Sequence, residues 1–494
     1  MLRIFYIVLL LIKYYTLYTL SKKGWYAIAP QKIIRRFFED AGGAFIKCGQ
    51  LLSLRVDVLP DEYMIELINL FDNVKAFSYR DVEEVFLQEL GDKPDKIFYD
   101  FQKEPFASAS FGQVHAAKLT KDHIVAVKVM RPGIEDKVAA DFLIIDILAF
   151  IGDLFLKIEA LPWKEFAQEF KKWTEQELDY RIEFEHAQAM KKNLAKSPDV
   201  IIPEVYSHFS TRRILVEDYI EGYPLSRVLH GLKDGRLTAE KLLKFGIDIK
   251  KTPRTLIKEL LRQFLFDDIF HADPHPGNIL LLKDNKIALI DFGIIGNSIV
   301  YNKASFVKWI EAGAKMDIQE ATYHFANYVG DEMRTMIGSA LPASIPQEKI
   351  EEFMHLIADH FSKLTTSIVN GNRKNLEIMK KDYTVVFLEI LNSARKYHIK
   401  LPKEMVIFIR TLTIVGFLAK ELDYEFKLAE ETKKFFEIYP EEVILKDWDQ
   451  YSPYKRIGHE RAIETLNSWL AYLVEVDPDL YMLVQQYFKQ YTLK

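Results

Sequence analysis

HADPHPGNILLLKDNKIALIDFG, residues 271–293, decides how this chain is read. Asp273 and Asn278 stand five positions apart in a loop stiffened by Pro274, Pro276 and Gly277. Two short apolar runs follow, 279–282 and 287–290, and read as a hairpin. Asp291 closes it, two residues before Gly293. Two carboxylates and an amide on one turn–hairpin unit suit a hard divalent cation. Magnesium takes oxygen ligands, typically one or two carboxylates together with substrate phosphates. A loop aspartate not engaged by metal can instead accept a hydroxyl proton. Each residue alone also has a plainer reading, with Asp273 capping a turn and Asp291 ending a strand. Zinc on His271, Asp273 and His275 is a third reading. Histidines at i,i+4 share a face only on a helix, however, and Pro274 and Pro276 oppose one.

Working outward, residues 113–119 (QVHAAKL) and 124–130 (IVAVKVM) alternate as two strands around a turn at 121–123. Lys128 sits between apolar neighbours on the second strand. A lysine there is costly to bury unless it meets an anion; the alternative is a solvent-facing position by simple alternation. Just upstream, Ala107-Ser108-Ala109-Ser110-Phe111-Gly112 is a run of small residues. Their Cβ atoms restrict positive φ, so this loop is expected to be stiff and to offer few free amides.

The chain's 494 residues are 49% apolar and 28% charged, which excludes a disordered or collagen-like polymer. The net charge of −5 gives no basic field for nucleic acid. One cysteine, Cys48, excludes an intramolecular disulfide framework and a cysteine-based zinc site, and fits a reducing compartment. Residues 1–20 read MLRIFYIVLLLIKYYTLYTL. Their unbroken apolar run, 4–12, is short of the about 20 residues of a span, and Lys13 with Tyr14, Tyr15 and Tyr18 suits a membrane interface. Packing on the protein's own surface and a true span are the other readings. The one small-x-small site, at 27–29, is followed by Pro30, so a signal peptide is disfavoured. Helical periodicity marks 31–92, broken at Pro60, then 134–158, 163–195, 239–250 and 254–270. After 300 the pattern is almost entirely helical, with amphipathic stretches at 346–367, 374–396, 402–421 and 458–473.

The ordered motifs together resemble the UbiB/AarF family of atypical, protein-kinase-like proteins. Asp-x-x-x-x-Asn, a hairpin and Asp-Phe-Gly follow one another as in protein kinases. Lys47-Cys48-Gly49-Gln50 resembles the family's K-x-G-Q signature, and Glu177-Leu178-Asp179 its E-x-D motif. The resemblance implies an α+β, bilobal protein-kinase-like fold with an N-terminal helical extension and a large, mostly helical C-terminal region. Its parts would be 1–24, an apolar and interfacial segment; 25–95, the extension; 96–300, the kinase-like core, with the smaller lobe ending near 222; and 301–494. It implies Asp273, Lys128 and Glu183 as catalytic residues, with Glu183 holding Lys128. Ala107, Ser108, Ala109, Ser110, Gly112, Val114, Lys128 and Glu217 would surround the nucleotide. Asn278 and Asp291 would bind magnesium. Lys47, Gln50, Glu177 and Asp179 would regulate the site, with Lys47 paired to Glu177.

By the same resemblance the cofactors are ATP or ADP and Mg2+. The activity is that of an atypical kinase or ATPase in lipid or isoprenoid-quinone metabolism. Its partners are nucleotide and membrane lipid or isoprenoid intermediates, with no nucleic acid. The expected location is cytoplasmic and peripheral to a membrane through residues 1–20. The alternative is a non-catalytic, nucleotide-gated pseudokinase that binds lipid or a partner. The chain departs from the family pattern at Ser108, where alanine is usual, at Phe184, where a small residue is usual, and in lacking the apolar C-terminal helices of some bacterial members.

Overall fold

The computed structural model describes residues 2–53, 61–68, 70, 76–155, 163–195, 197–267, 269–297 and 303–317, scattered positions from 320 to 328, residues 403–446, and 482. The expected helical stretches at 346–367, 374–396 and 458–473, and the break at Pro60, lie outside them. The chain divides into two compact units, Met1–Asp248 with Asp273–Ile295, and Ile249–Ala272 with Gly296–Lys494. The architecture is α+β and kinase-like.

The first unit opens with helices α1 (Leu2–Lys22), α2 (Pro30–Ala41), α3 (Ala44–Ser53) and α4 (Asp61–Ile68). Helix α1 buries Ile7, Leu10 and Tyr14 and leaves Phe5, Ile12 and Tyr15 exposed. Tyr14 Oη donates to Asp40 Oδ2 at 2.6 Å, which ties α1 to α2. Arg3 forms two bonds, at 2.8 and 3.1 Å, to the buried carboxylate of Asp141. Cys48 lies in the same apolar cluster, and burial pushes its thiol up to about 12.

Helix α5 (Tyr79–Leu90) begins at a capping box, Ser78 and Asp81 exchanging bonds with each other's backbone, and ends on Gly91 in the left-handed region, φ 79°. The short α6 (Pro94–Ile97) leads to β1 (Asp100–Phe101), β2 (Ala107–Ser108), β3 (Gly112–Thr120) and β4 (His123–Met130). Helices α7 (Ile134–Phe155), α8 (Trp163–Glu177) and α9 (Tyr180–Leu194) follow, then β5 (Val200–Ile201), β6 (Ile214–Asp218) and β7 (Tyr223–Pro224). The first sheet is antiparallel, ordered β1-β3-β4-β6, with β2 on β3. One face carries Val125, Val127, Val129, Ile214 and Val216 against Val82, Val85 and Phe86 of α5. By strand alternation Ala126, Lys128, Leu215 and Glu217 share the other face.

Several expected elements differ, and the helix expected over 239–250 is only Ala239–Lys244. The single helix over 163–195 is two helices, because Asp179 leaves helical geometry (φ −138°, ψ 95°) and its side chain caps α9 by accepting from Arg181 N at 3.1 Å. The small-residue run at 107–112 is not an open loop but a tight hairpin. Ala107 pairs with Val114 and Ser108 with Gln113, and Gly112 O takes Ala109's N–H at 2.8 Å.

After α10 (Leu225–Lys233) and α11 (Ala239–Lys244) the second unit begins with α12 (Lys251–Phe266) and β8 (Ile269–His271). The helix expected to 270 therefore stops at Phe266, and the last residues before the loop are a strand. Strands β9 (Ile279–Leu281) and β10 (Ile287–Leu289) return to the first unit, in a sheet ordered β5-β10-β9-β7. The second unit also holds α13 (Lys303–Ala314), α14 (Lys403–Leu422), α15 (Leu428–Ile438) and α16 (Glu441–Leu445). Phe264, Phe270, Phe306 and Phe408 form its aromatic centre, Phe264 lying 4.0 Å from Phe408 by ring centroids. Arg410 and Thr411 both donate to the carbonyl of Ala272, at 3.1 Å each. That carbonyl belongs to the peptide entering Asp273.

Candidate active site

Lys128 lies directly opposite Val114 on β3 and Leu215 on β6, in the middle of its sheet. Its Nζ donates to Glu183 Oε1 at 2.7 Å and to Ile290 O at 3.0 Å, and stands 3.3 Å from Glu217 Oε1. All three side chains are largely buried, with exposures of 13% for Lys128, 11% for Glu183 and 4% for Glu217. Strand alternation thus turns Lys128 away from the α5 face, yet not into solvent. Burial pulls its ammonium down, but Glu183, Glu217 and Asp291 outweigh that and hold it well above the ordinary lysine value. Burial pushes the Glu217 carboxyl up to about 7, against the pull of Lys128 and with Glu183 and Asp291 adding to the push.

Glu183 is placed by the cap at Asp179 and by Tyr180 N, which donates to Arg212 O at 2.9 Å just before β6. Glu183 Oε1 also accepts from Phe292 N at 3.4 Å. One turn along α9, His186 Nδ1 donates to Phe292 O at 2.9 Å. Lys128, Glu183 and His186 thereby grip the backbone on both sides of Asp291. His186 escapes a motif search, and its only trace in the sequence is its i+3 spacing from Glu183.

The loop is self-bracing. Asn278 Nδ2 reaches Asp273 Oδ2 and Asp273 O, both at 3.3 Å. His275 N donates to Asp273 O at 2.7 Å, and His275 Nδ1 accepts from Gly277 N at 3.2 Å. Ile290 N donates to Asn278 O at 3.1 Å, so the hairpin sets Asn278 beside the strand that delivers Asp291. Asp291 Oδ1 accepts from Gly293 N at 2.9 Å. An amide oxygen and a carboxylate form the hard donor set that magnesium takes alongside phosphate oxygens, so Asn278 and Asp291 fit it. Among the described residues no group of three or more His, Cys, Asp and Glu side chains gathers to cage a metal without such oxygens.

The extension reaches the small-residue hairpin. Lys47 Nζ pairs with Glu177 Oε2 at 2.9 Å and lies 5.7 Å from the centroid of the Phe111 ring. A Cβ on Gly49 would fall 2.4 Å from Leu70 Cδ1 and 2.8 Å from Phe38 Cγ, so α3 seats only with glycine there. Gln50 Nε2 donates to Leu70 O at 3.1 Å. Gly112 is equally confined. A Cβ would meet Tyr180 Oη at 2.5 Å and Val129 O at 2.7 Å. Ser110 is buried, while Ala107 is exposed and Ser108 half-buried on β2. Asp179 chelates Arg181 besides capping α9, and Arg181's hydrogen bonds hold its carboxyl below the usual range.

A strand lysine held by a helix glutamate, an Asp–Asn loop and a hairpin ending in Asp-Phe-Gly form a protein-kinase-like arrangement. The profile of the ABC1 atypical kinase-like domain matches residues 69–324, and the K-x-G-Q stretch lies upstream of that match. A Clostridium pasteurianum protein, described as an uncharacterized protein in the hydrogenase 1 5′ region, is 31% identical over 390 residues, 78% of this chain and 67% of its own length. A Mycobacterium tuberculosis structure, the complex of Rv3197 with erythromycin, aligns at 23% identity and a TM-score of 0.47, covering 80% of this chain and 92% of that one. The chain belongs to the ABC1 atypical kinase-like family, the UbiB/AarF family its motifs resemble.

Proposed function

We propose that the protein is a magnesium-dependent, ATP-binding kinase or ATPase that works at a membrane surface in lipid or isoprenoid-quinone metabolism. The observation that carries this is Lys128, charged and buried beside Glu183 at 2.7 Å while also holding the backbone next to Asp291. A cation so placed is of use to an incoming polyphosphate. Magnesium on Asn278 and Asp291 would neutralise charge on the phosphate oxygens. Lys128 orients the phosphates, and Glu183 keeps the ammonium from swinging away. Asp273, turned by Asn278, receives the acceptor's proton on a carboxylate oxygen.

Asp291→Asn is isosteric and is expected to preserve the fold, because its amide oxygen can still accept from Gly293 N, but it removes the carboxylate. Wild type at a hundredfold excess of Mg-nucleotide over Kd gains about 2.7 kcal/mol in thermal unfolding. The variant is expected to lose most of that gain, and an unchanged gain would refute the metal assignment. Lys47→Ala breaks the tie to Glu177 and the contact with Phe111. Turnover is expected to change at least severalfold with the melting temperature nearly constant; wild-type turnover with every acceptor tried would remove Lys47's regulatory role.

Support for the membrane setting lies in α1. Within Arg3–Lys22 the most apolar 18-residue stretch has a mean hydropathy of 1.6, and only 17% of that stretch is buried, so the helix is long and apolar enough to enter a bilayer. Deleting it would also uncover its buried partners, so Phe5→Ser with Ile12→Ser on the exposed face is the cleaner test. Wild type is expected to float with phospholipid vesicles and the double variant to stay behind. Equal flotation would exclude this face as the anchor.

A further inference from the structure

An ammonium has three N–H donors. Lys128 already donates to Glu183 Oε1 (2.7 Å) and Ile290 O (3.0 Å), and its remaining side faces the carboxylate of Glu217, Oε1 at ion-pair distance, 3.3 Å. A phosphate oxygen therefore cannot simply be added to this lysine; it must replace one partner. Glu183 is the shortest contact and is braced by Phe292 N. Ile290 O belongs to the backbone beside Asp291. Glu217 is the longest contact, and among the described residues its carboxyl accepts no hydrogen bond from any other group.

Once released, Glu217 has nowhere to go. It is 3% exposed and sits in β6, paired to β4 on one side and bridged to Val205 on the other. Its Oε2 has no hydrogen-bond partner among the described residues. Lys128 on β4, Glu183 on α9 and Asp291 beyond β10 are the charged groups that face it. His123 and Tyr206 instead gather on Asp218, the next residue, whose side chain lies on the opposite face of the strand. A buried carboxylate stripped of its cation beside an arriving polyphosphate is strongly disfavoured in its ionised form.

We propose that Glu217 is an exchangeable counter-ion of Lys128: nucleotide phosphates displace it, and it takes up a proton from solvent as they do. The step forms one O–H bond on the Glu217 carboxyl and transfers no electrons. The proposal rests on the reading that this pocket binds a nucleotide. Burial already lifts the carboxyl to about 7 against the pull of Lys128, and weakening that pull would lift it further. Nucleotide binding is therefore coupled to proton uptake. Above about pH 7 affinity falls by up to about tenfold per pH unit, the limit for one proton.

The test is calorimetric titration of Mg-ADP into the full chain, wild type and Glu217→Gln, at about pH 8 in two buffers of different ionisation heat. Dissociation constants are then followed between about pH 7 and pH 9. Wild type is expected to take up close to one proton and to weaken as pH rises. Glu217→Gln is expected to take up none, to keep a flat profile, and to bind at least as tightly at the alkaline end. Binding by wild type without net uptake overturns the proposal, and that measurement stands even if the variant fails to fold. Equal uptake by both proteins, or weaker binding by Glu217→Gln, overturns it too. In each of those cases the nucleotide reading survives. Absence of binding by wild type removes both.

Discussion

Lys128→Met is expected to destabilise the unit that holds the site by about 3–5 kcal/mol, the usual effect of removing one partner from a buried ionic group. The methionine fills much of the same volume, so little of the loss comes from a cavity. What remains is Glu183, Glu217 and Asp291 with no cation among them, and Ile290 O without its donor. Urea unfolding reads the effect as a lower midpoint at unchanged slope. Adding Glu217→Gln should recover part of the loss, because one of the three carboxylates is then neutral; this coupling is what a double-mutant cycle isolates. A Lys128→Met midpoint equal to wild type would mean that the ammonium is solvated and the buried charge cluster does not exist.

Asp273→Asn is expected to cut phosphate release by about 10²–10⁴-fold, the range for loss of a positioned general base. Nucleotide affinity should change little, because an amide oxygen can still accept from Asn278 Nδ2 and the loop keeps its bracing through His275. The result separates an enzyme from a nucleotide-gated binder. If wild type binds Mg-nucleotide in the presence of vesicles and releases phosphate no faster than Asp273→Asn, chemistry is excluded.

Local signals carried much of the fold. The hairpin of β3 and β4 follows from alternation within one short stretch, and the loop before β9 from prolines and a glycine at fixed offsets. Lys128, Asp273, Asn278 and Asp291 were legible because each sits in such a stretch. The cap at Asp179 was legible in principle, since aspartate ahead of Tyr180-Arg181 is an ordinary helix start, but apolar periodicity runs across it and hides the break. Glu217 is different. Its meeting with Lys128 depends on the register between β4 and β6, strands some ninety residues apart in the chain, and no single-residue pattern encodes that pairing. Arg3 on Asp141 is a contact of the same kind, spanning 138 positions. His186 and its bond to Phe292 O required knowing which face of α9 turns toward the hairpin.

The burial of Cys48 has a practical side. The thiolate is the form that reacts with electrophiles and oxidants, and a thiol pushed up to about 12 inside an apolar cluster supplies almost none of it. The polypeptide carries no other sulfhydryl. Peroxide or alkylating reagents therefore find no thiol handle on the native molecule, and a maleimide fluorophore coupled to a cysteine engineered on the tip of the β2–β3 hairpin would report from that place with negligible background.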